Sequence, residues 1–280
     1  MITMIKLKEG LYRENNGLYT FYWKGDRDGD LISLKRDTSG ISTIDGIDYI
    51  YGYEFNNDLS KEVVSDFRYN LKNYFDSSEY FNLNAVKEFV KKGILRADTH
   101  KSLQIFKVLV TIKSTSTSKD GKSLIRYMKP FLFEYTDNAE FALDIELIKN
   151  LCKDVELDTQ KIWNALNNSR KYRRYSKEEK QEIIDSTLET FETAKKNNEL
   201  FKMKEYLPIL VRSGFSNFLK FKDENDEELY RLLEQGTEVL ICEDFVTSGS
   251  TIKEVKRLLE SVNPNNHLTV FALINQMRSI

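Results

Sequence analysis

The sequence predicts an α/β fold: a parallel sheet with flanking helices, an N-terminal β-hairpin segment and a helical insertion. Three observations carry this expectation. Val239, Leu240, Ile241 and Cys242 form an apolar run without alternation, the pattern of a strand covered on both faces. Beyond a short polar loop, Ile252, Val255, Leu258, Leu259 and Val262 keep one helical stripe while Lys253, Glu254, Lys256 and Arg257 are expected outward, and Pro264 closes the helix. Residues 267–274 are a second buried run, which completes a βαβ unit whose loop lies at the carboxyl end of its first strand.

The remaining elements follow in chain order. Asn16-Gly17 ahead of the alternating residues 18–23 predicts a hairpin with a type I′ turn, and Asp28-Gly29 a second turn before Leu31 to Leu34. Residues 26–30 look superficially like a calcium loop, but the glycine falls at the fourth loop position and no glutamate stands at the twelfth, so they read as a turn. Residues 47–55 predict a strand. A helix starting at Ser60 carries Val63, Val64, Phe67, Leu71, Tyr74 and Phe75 on one face, and a second, with Ala85, Val86, Phe89 and Val90, is expected to stop at Gly93. Residues 106–112 predict a strand, and a helix over 124–128 is expected to end near Pro130. From Phe141 to Lys196 the chain reads as mainly helical, with Ser176 and Glu179 as a capping box. The expected organisation is an N-terminal β segment over 1–45 and an α/β domain over 46–280, with its helical insertion at about 140–205.

Composition narrows the chemistry. A chain of 280 residues that is 40% hydrophobic can bury a sizeable core. Its 42 basic and 44 acidic residues nearly cancel, so no global field points to nucleic acid. With only Cys152, Cys242, His100 and His267 available, a disulfide framework, a histidine triad or a multi-histidine metal site is not expected. Residues 1–10 show no leader-like apolar stretch and no segment has the length of a membrane span, so a soluble cytoplasmic protein is expected.

The loop after residue 242 carries the functional argument. Two acids, Glu243 and Asp244, are followed by Phe245-Val246 and then Thr247, Ser248, Gly249, Ser250 and Thr251. Backbone amides at a helix N-terminus favour an anion, and a glycine lets it come close. The carboxylates would repel that anion, so sugar hydroxyls or a hydrated Mg²⁺ are their natural partners.

Residues 239–251 resemble the phosphoribosyl pyrophosphate (PRPP) signature of type I phosphoribosyltransferases: four apolar residues, two acids, two apolar residues and a Thr/Ser-rich loop with glycine. Here Glu243 stands where aspartate is commoner. The resemblance implies a type I phosphoribosyltransferase-like parallel sheet. It also implies that Glu243 and Asp244 hold the ribose hydroxyls, that Thr247 to Thr251 hold the 5-phosphate, and that Mg²⁺ is held largely by PRPP and water, so that the two acids reach it only indirectly. A second anion loop, for pyrophosphate, is expected after an earlier strand of the same sheet. Lys113, Ser114, Thr115 and Ser116 occupy that position without the family's usual glycine pair, and a polar surface loop is the other reading. Arg212, after an expected strand over 207–211, and Lys220 or Lys222 further on, are candidates for contacting the leaving pyrophosphate.

The expected activity is transfer of a phosphoribosyl group from PRPP to an acceptor the sequence does not name. Tyr19, Tyr22 and Trp23 of the N-terminal hairpins are candidates for a hood over it. The layout is also similar to the phosphoribosyltransferase-like effectors of bacterial retron defence systems, which leaves a regulator or effector with a nucleic-acid or protein partner as the alternative; a homodimer is open in either case. A third reading is a nucleotide-triphosphate P-loop over residues 116–123, with Lys122 as its lysine, which lacks only the first glycine. The basic run Arg170-Lys171-Tyr172-Arg173-Arg174-Tyr175 reads either as a stacking surface for nucleic acid or as a solvated connector.

Overall fold

Parallel strands sit at the centre of a seven-stranded mixed sheet in the protein's structure, a computed structural model. It describes residues 10–13, 19–23, 30–34, 40–55, 59–75, 81–112, 124–135, 143–202, 212, 214–222, 227–247 and 249–276. The parallel strands are β5 (Ile47–Glu54), β6 (Val108–Ile112), β7 (Leu143–Lys149), β11 (Glu238–Val246) and β12 (His267–Asn275). Antiparallel strands β4 (Gly40–Ile44) and β10 (Leu219–Phe221) close the two edges, giving the order β10-β7-β6-β11-β12-β5-β4. Strands β6 and β11 are paired from Val108↔Val239 to Thr111↔Cys242, and every residue of β6 is buried, as a doubly covered strand requires.

Helices cover both faces, and each face has its own core. On one lie α1 (Lys61–Tyr74), α2 (Leu83–Asp98) and α3 (Leu124–Tyr135), which contribute Phe67, Leu71, Phe89, Val90, Met128 and Leu132. On the other lie α4 (Thr159–Asn168), α5 (Lys177–Lys196), α6 (Glu227–Glu234) and α7 (Ser250–Val262), contributing Ile162, Ile184, Leu233, Val255 and Leu259. The capping box predicted at Ser176 and Glu179 starts α5, and Ser60 caps α1 through the Val63 amide. A separate three-stranded sheet of β1 (Gly10–Arg13), β2 (Tyr19–Trp23) and β3 (Asp30–Leu34) precedes β4. Its Phe21 is buried against Phe67, Phe81 and Phe89, which ties this sheet to the α1–α2 face. A two-stranded sheet of β8 (Glu156–Leu157) and β9 (Phe215–Ser216) lies within the α4–α5 region.

Several elements differ from expectation, each for a physical reason. Helix α2 does not stop at Gly93. That glycine lies where α2 crosses β5, and a Cβ on Gly52 would come within 2.7 Å of the Gly93 Cα. Helix α3 runs past Pro130 to Tyr135 because Leu124, Met128 and Leu132 continue one buried stripe through the proline, and their burial outweighs a lost backbone hydrogen bond. The start of the expected helical insertion is instead strand β7, whose Ile145 and Leu147 are buried at period 2 while Glu146 is half-exposed.

Strands β1 and β2 pair antiparallel from Gly10↔Tyr22 to Arg13↔Tyr19, and the turn expected at Asn16-Gly17 lies outside the described residues. Asp45 and Gly46, both with positive φ, form a two-residue turn between β4 and β5. The boundary expected at 45/46 falls inside that β4–β5 hairpin. Glu254, expected outward on α7, is buried and held by Arg257 through two bonds of 2.9 and 3.0 Å.

Candidate functional site

Between β6 and β11 the sheet reverses its winding. From β6 the chain crosses by α3 to β7, and from β11 it crosses by α7 to β12 on the opposite face and in the opposite direction. Neighbouring strands whose crossovers diverge leave a crevice at their carboxyl ends, the usual ligand position in such sheets. The acids and the small-residue loop belong to this edge.

Strand β11 extends through the acid pair to Val246, further than the apolar run alone suggested. Consecutive strand residues leave on opposite faces, so Glu243 and Asp244 do not share one. Asp244 turns toward α1. It is buried, its Oδ1 accepts the Phe245 amide at 2.7 Å, and Lys72 Nζ lies 2.6 Å from the same oxygen. Glu243 turns toward the other core and is half-buried. Desolvation, with the Asp244 charge adding to it, pushes the Glu243 carboxyl up to about 8, although Lys72 and Lys149 act the other way. The Tyr49 hydroxyl, buried without a partner on the same side, is pushed well above the ordinary phenol range, chiefly by burial.

After Val246 the chain reaches Gly249 in the left-handed region, with φ at 70°, and this glycine is the N-cap of α7. No side chain caps the helix, so its first turn, with Ser250 and Thr251, presents backbone amides. Thr247 is half-buried at the entrance, while Ser248 lies outside the described residues. A Cβ on Gly249 would meet Ile44 Cγ2 at 2.9 Å, so the β4–β5 hairpin lies against this loop. Lys256 Nζ fixes the hairpin by donating to the Asp45 carbonyl at 2.8 Å.

Helix α1 supplies what sequence reasoning missed. Besides Lys72, its Arg68 donates from Nη1 to Gln276 Oε1 at 2.7 Å, and Gln276 is itself bonded through its amide to the Val246 carbonyl. Arg68 and Lys72 are four apart, beside the buried Phe67 and Leu71, a spacing that places both cations at one side of the apolar stripe. Arg212 joins them. It is half-buried, its Nε has no hydrogen-bond partner, and burial together with the Arg68 charge holds it below the usual guanidinium range.

Other expected residues are placed elsewhere or not described. Strand β6 does stand beside β11, but Lys113, Ser114, Thr115, Ser116, Lys122 and the expected strand over 207–211 lie outside the described residues. Lys222 is bonded to Glu146 at 3.1 Å, opposite Arg126 at 3.4 Å, so it serves a surface ion pair. In the basic run, Tyr172 is buried and Lys171 lies over its ring, while Arg170, Arg173 and Arg174 are exposed on the turn between α4 and α5. Tyr19, Tyr22 and Trp23 are on β2, and their side chains lie outside the described ones.

A polar cavity of about 310 Å³, lined by Asp48, Lys101, Glu238, Lys256 and His267, opens at the opposite, amino-terminal edge of the strands. Its lysines are already engaged, Lys101 by Asp48 and Thr269 and Lys256 by the Asp45 carbonyl.

No family model and no curated protein matches the chain. Among the described residues, no three His, Cys, Asp or Glu side chains are grouped to hold a metal by themselves, and no helix is long and apolar enough to cross a membrane.

Proposed function

We propose that the protein binds PRPP with Mg²⁺ at the β6–β11 switch point and transfers its phosphoribosyl group to an acceptor, releasing pyrophosphate. The supporting observation is the convergence of an acid pair, a left-handed glycine and a helix start with no side-chain cap at one reversal of the sheet. The α7 amides would hold the 5-phosphate, with Thr251 adding a hydroxyl donor. Asp244, fixed by Lys72, would accept a ribose hydroxyl and stand near the positive charge that develops at C1. Bound Mg²⁺ would neutralise the leaving pyrophosphate. Glu243, on the other side of the strand, would face the ligand's metal through water.

Calorimetry with PRPP, with and without Mg²⁺, tests the reading. Asp244→Asn should weaken PRPP by roughly 10- to 150-fold, the worth of one charge-assisted hydrogen bond, while orthophosphate affinity stays within about twofold. Equal losses for both ligands would mean that Asp244 does not face the sugar. Gly249→Val is a poor probe, because it would strain a positive-φ backbone and press on Ile44 whether or not a ligand binds there.

The inserted α4–α5 lobe supports a second reading, a phosphoribosyltransferase-fold regulator or defence effector that acts with a nucleic-acid or protein partner. PRPP binding without pyrophosphate release across a nucleobase panel favours that reading. Phosphate release from ATP that Lys122→Ala abolishes would favour the P-loop instead.

A further inference from the structure

We propose that the turn between α4 and α5 is a docking surface for single-stranded nucleic acid, with Arg170, Arg173 and Arg174 on its phosphates and Tyr175 under a base. Residues 169–177 carry the cations Arg170, Lys171, Arg173, Arg174 and Lys177 and no acid, in a chain whose net charge is -2. A solvated connector would not need this segregation, nor the anchors that hold the turn in shape. The Ser169 hydroxyl accepts the Lys171 amide at 3.2 Å, and the Arg173 amide donates to the Ser169 carbonyl at 2.8 Å. Tyr172 is buried in the core beneath α4 and α5, with Lys171 Nζ 4.7 Å from its ring centroid. The Tyr175 amide donates to the Tyr172 carbonyl at 3.0 Å, and Ser176 caps α5.

The bond from the Arg173 amide back to residue 169 closes one helical turn. Positions 170, 173 and 174 then share one side of it, with Cβ atoms about 5–6 Å apart. All three arginines are exposed, and none has a hydrogen-bond or ion-pair partner among the described residues. Arg68, Arg96, Arg126 and Arg257, in contrast, each donate to an acceptor. The nearest acids in sequence, Glu178 and Glu179, open α5, and Glu179 is turned onto the Ser176 amide at 2.6 Å. Like charges at this spacing repel, so the fold holds three guanidiniums together with no carboxylate between them. A polyanion relieves that repulsion.

The side chains point to the kind of polyanion. A guanidinium fork takes two phosphate oxygens at once. Tyr175 is 38% exposed, and its ring is held edge-on to Tyr172 at 5.1 Å and 72°. An aromatic face beside phosphate-binding cations suits a single strand, whose bases are free to stack; a duplex keeps its base faces covered. A lipid surface fits less well, since residues 169–177 contain no aliphatic side chain to enter it. The surface stands on these residues alone; its use by an effector rests on the second reading above.

Fluorescence anisotropy of the full-length protein with labelled oligo(U), oligo(dT) and a duplex of equal length, over roughly 50–200 mM salt, tests the proposal. The triple variant Arg170→Gln/Arg173→Gln/Arg174→Gln should bind both single strands at least about tenfold more weakly. Its slope of log affinity against log salt should flatten by about 2, at roughly 0.7 per phosphate contact. Changing the exposed Lys87, Lys153 and Lys196 to Gln removes the same charge elsewhere and should leave affinity within about twofold. Tyr175→Leu should weaken single strands at least about fivefold and leave the duplex unchanged. Without ligand, the arginine triple variant should melt at or above the wild-type temperature; a lower Tm would make the arginines structural and overturn the proposal. Wild-type affinity in that variant, an equal loss in the lysine control, or a duplex bound as tightly as the single strands would also overturn it. So would tighter binding to phosphatidylserine vesicles or to polyglutamate than to the oligonucleotides. Oligonucleotide binding through this turn with no PRPP binding keeps the surface and removes the phosphoribosyltransferase reading. PRPP binding with pyrophosphate release and no oligonucleotide binding does the reverse.

Discussion

Desolvation pushes the Glu243 carboxyl up to about 8, one residue from an aspartate held by Lys72 at 2.6 Å. Asp244 has Lys72 against it, whereas desolvation dominates at Glu243. The consequence for stability has a definite sign. The folded protein holds a proton on Glu243 that the unfolded chain releases near 4.5, so stability from this group is complete below about 4.5 and is lost as pH rises through 8. Glu243→Gln, which cannot ionise, should therefore gain on the wild type across that window, by at most about 1.4 kcal/mol per pH unit. Urea midpoints at pH 5, 7 and 8.5 measure it, and a constant gap would show that Glu243 ionises normally. The acids and the glycine loop were legible because residue type, order and spacing all carry information there. Arg68 and Lys72 were not, because a cation beside an apolar stripe looks the same whether it faces water or a crevice.

Among the elements, the contact between α2 and β5 depends on two glycines at one crossing. Each lacks a side chain where the other's backbone, or Tyr53 and Leu273, already occupies the space. Gly52→Ala should cost about 1–3 kcal/mol by overpacking, where a glycine-to-alanine change at an open position would instead stabilise by roughly 0.4–1 kcal/mol. Chemical denaturation decides the sign, and a stabilised variant would mean that α2 moves away freely. The same crossing explains why α2 was expected to be short. A glycine late in a helix signals a cap when only local chemistry is considered, yet Gly93 answers a strand distant in sequence. Strand β7 was misread for the opposite reason: its short period-2 pattern stood beside long helical segments and was absorbed into them.

At the scale of the whole molecule, the parallel βαβ unit at residues 238–275 was readable, because a strand buried on both faces is written as an unbroken apolar run. The order of strands was not, since pairing between distant segments leaves no local trace. Both cores are built on the same sheet, so the α4–α5 lobe should not unfold separately. Trp163 of α4 packs on the core that contains Val239 and Ile241 of β11. In a Trp23→Phe background its emission and the far-UV circular dichroism should give one urea midpoint; separated midpoints would make the lobe an independent unit. The pairing of Asp48 in β5 with Thr269 in β12 has a further consequence, during synthesis on the ribosome. Strand β5 emerges early with the β4 hairpin beside it, and its parallel neighbour β12 is translated last among the described strands. At about 5–20 residues per second that interval is roughly 10–40 s. For that time the buried edge of β5, with Tyr49, Ile50 and Tyr53, is open to chaperones or to other nascent chains.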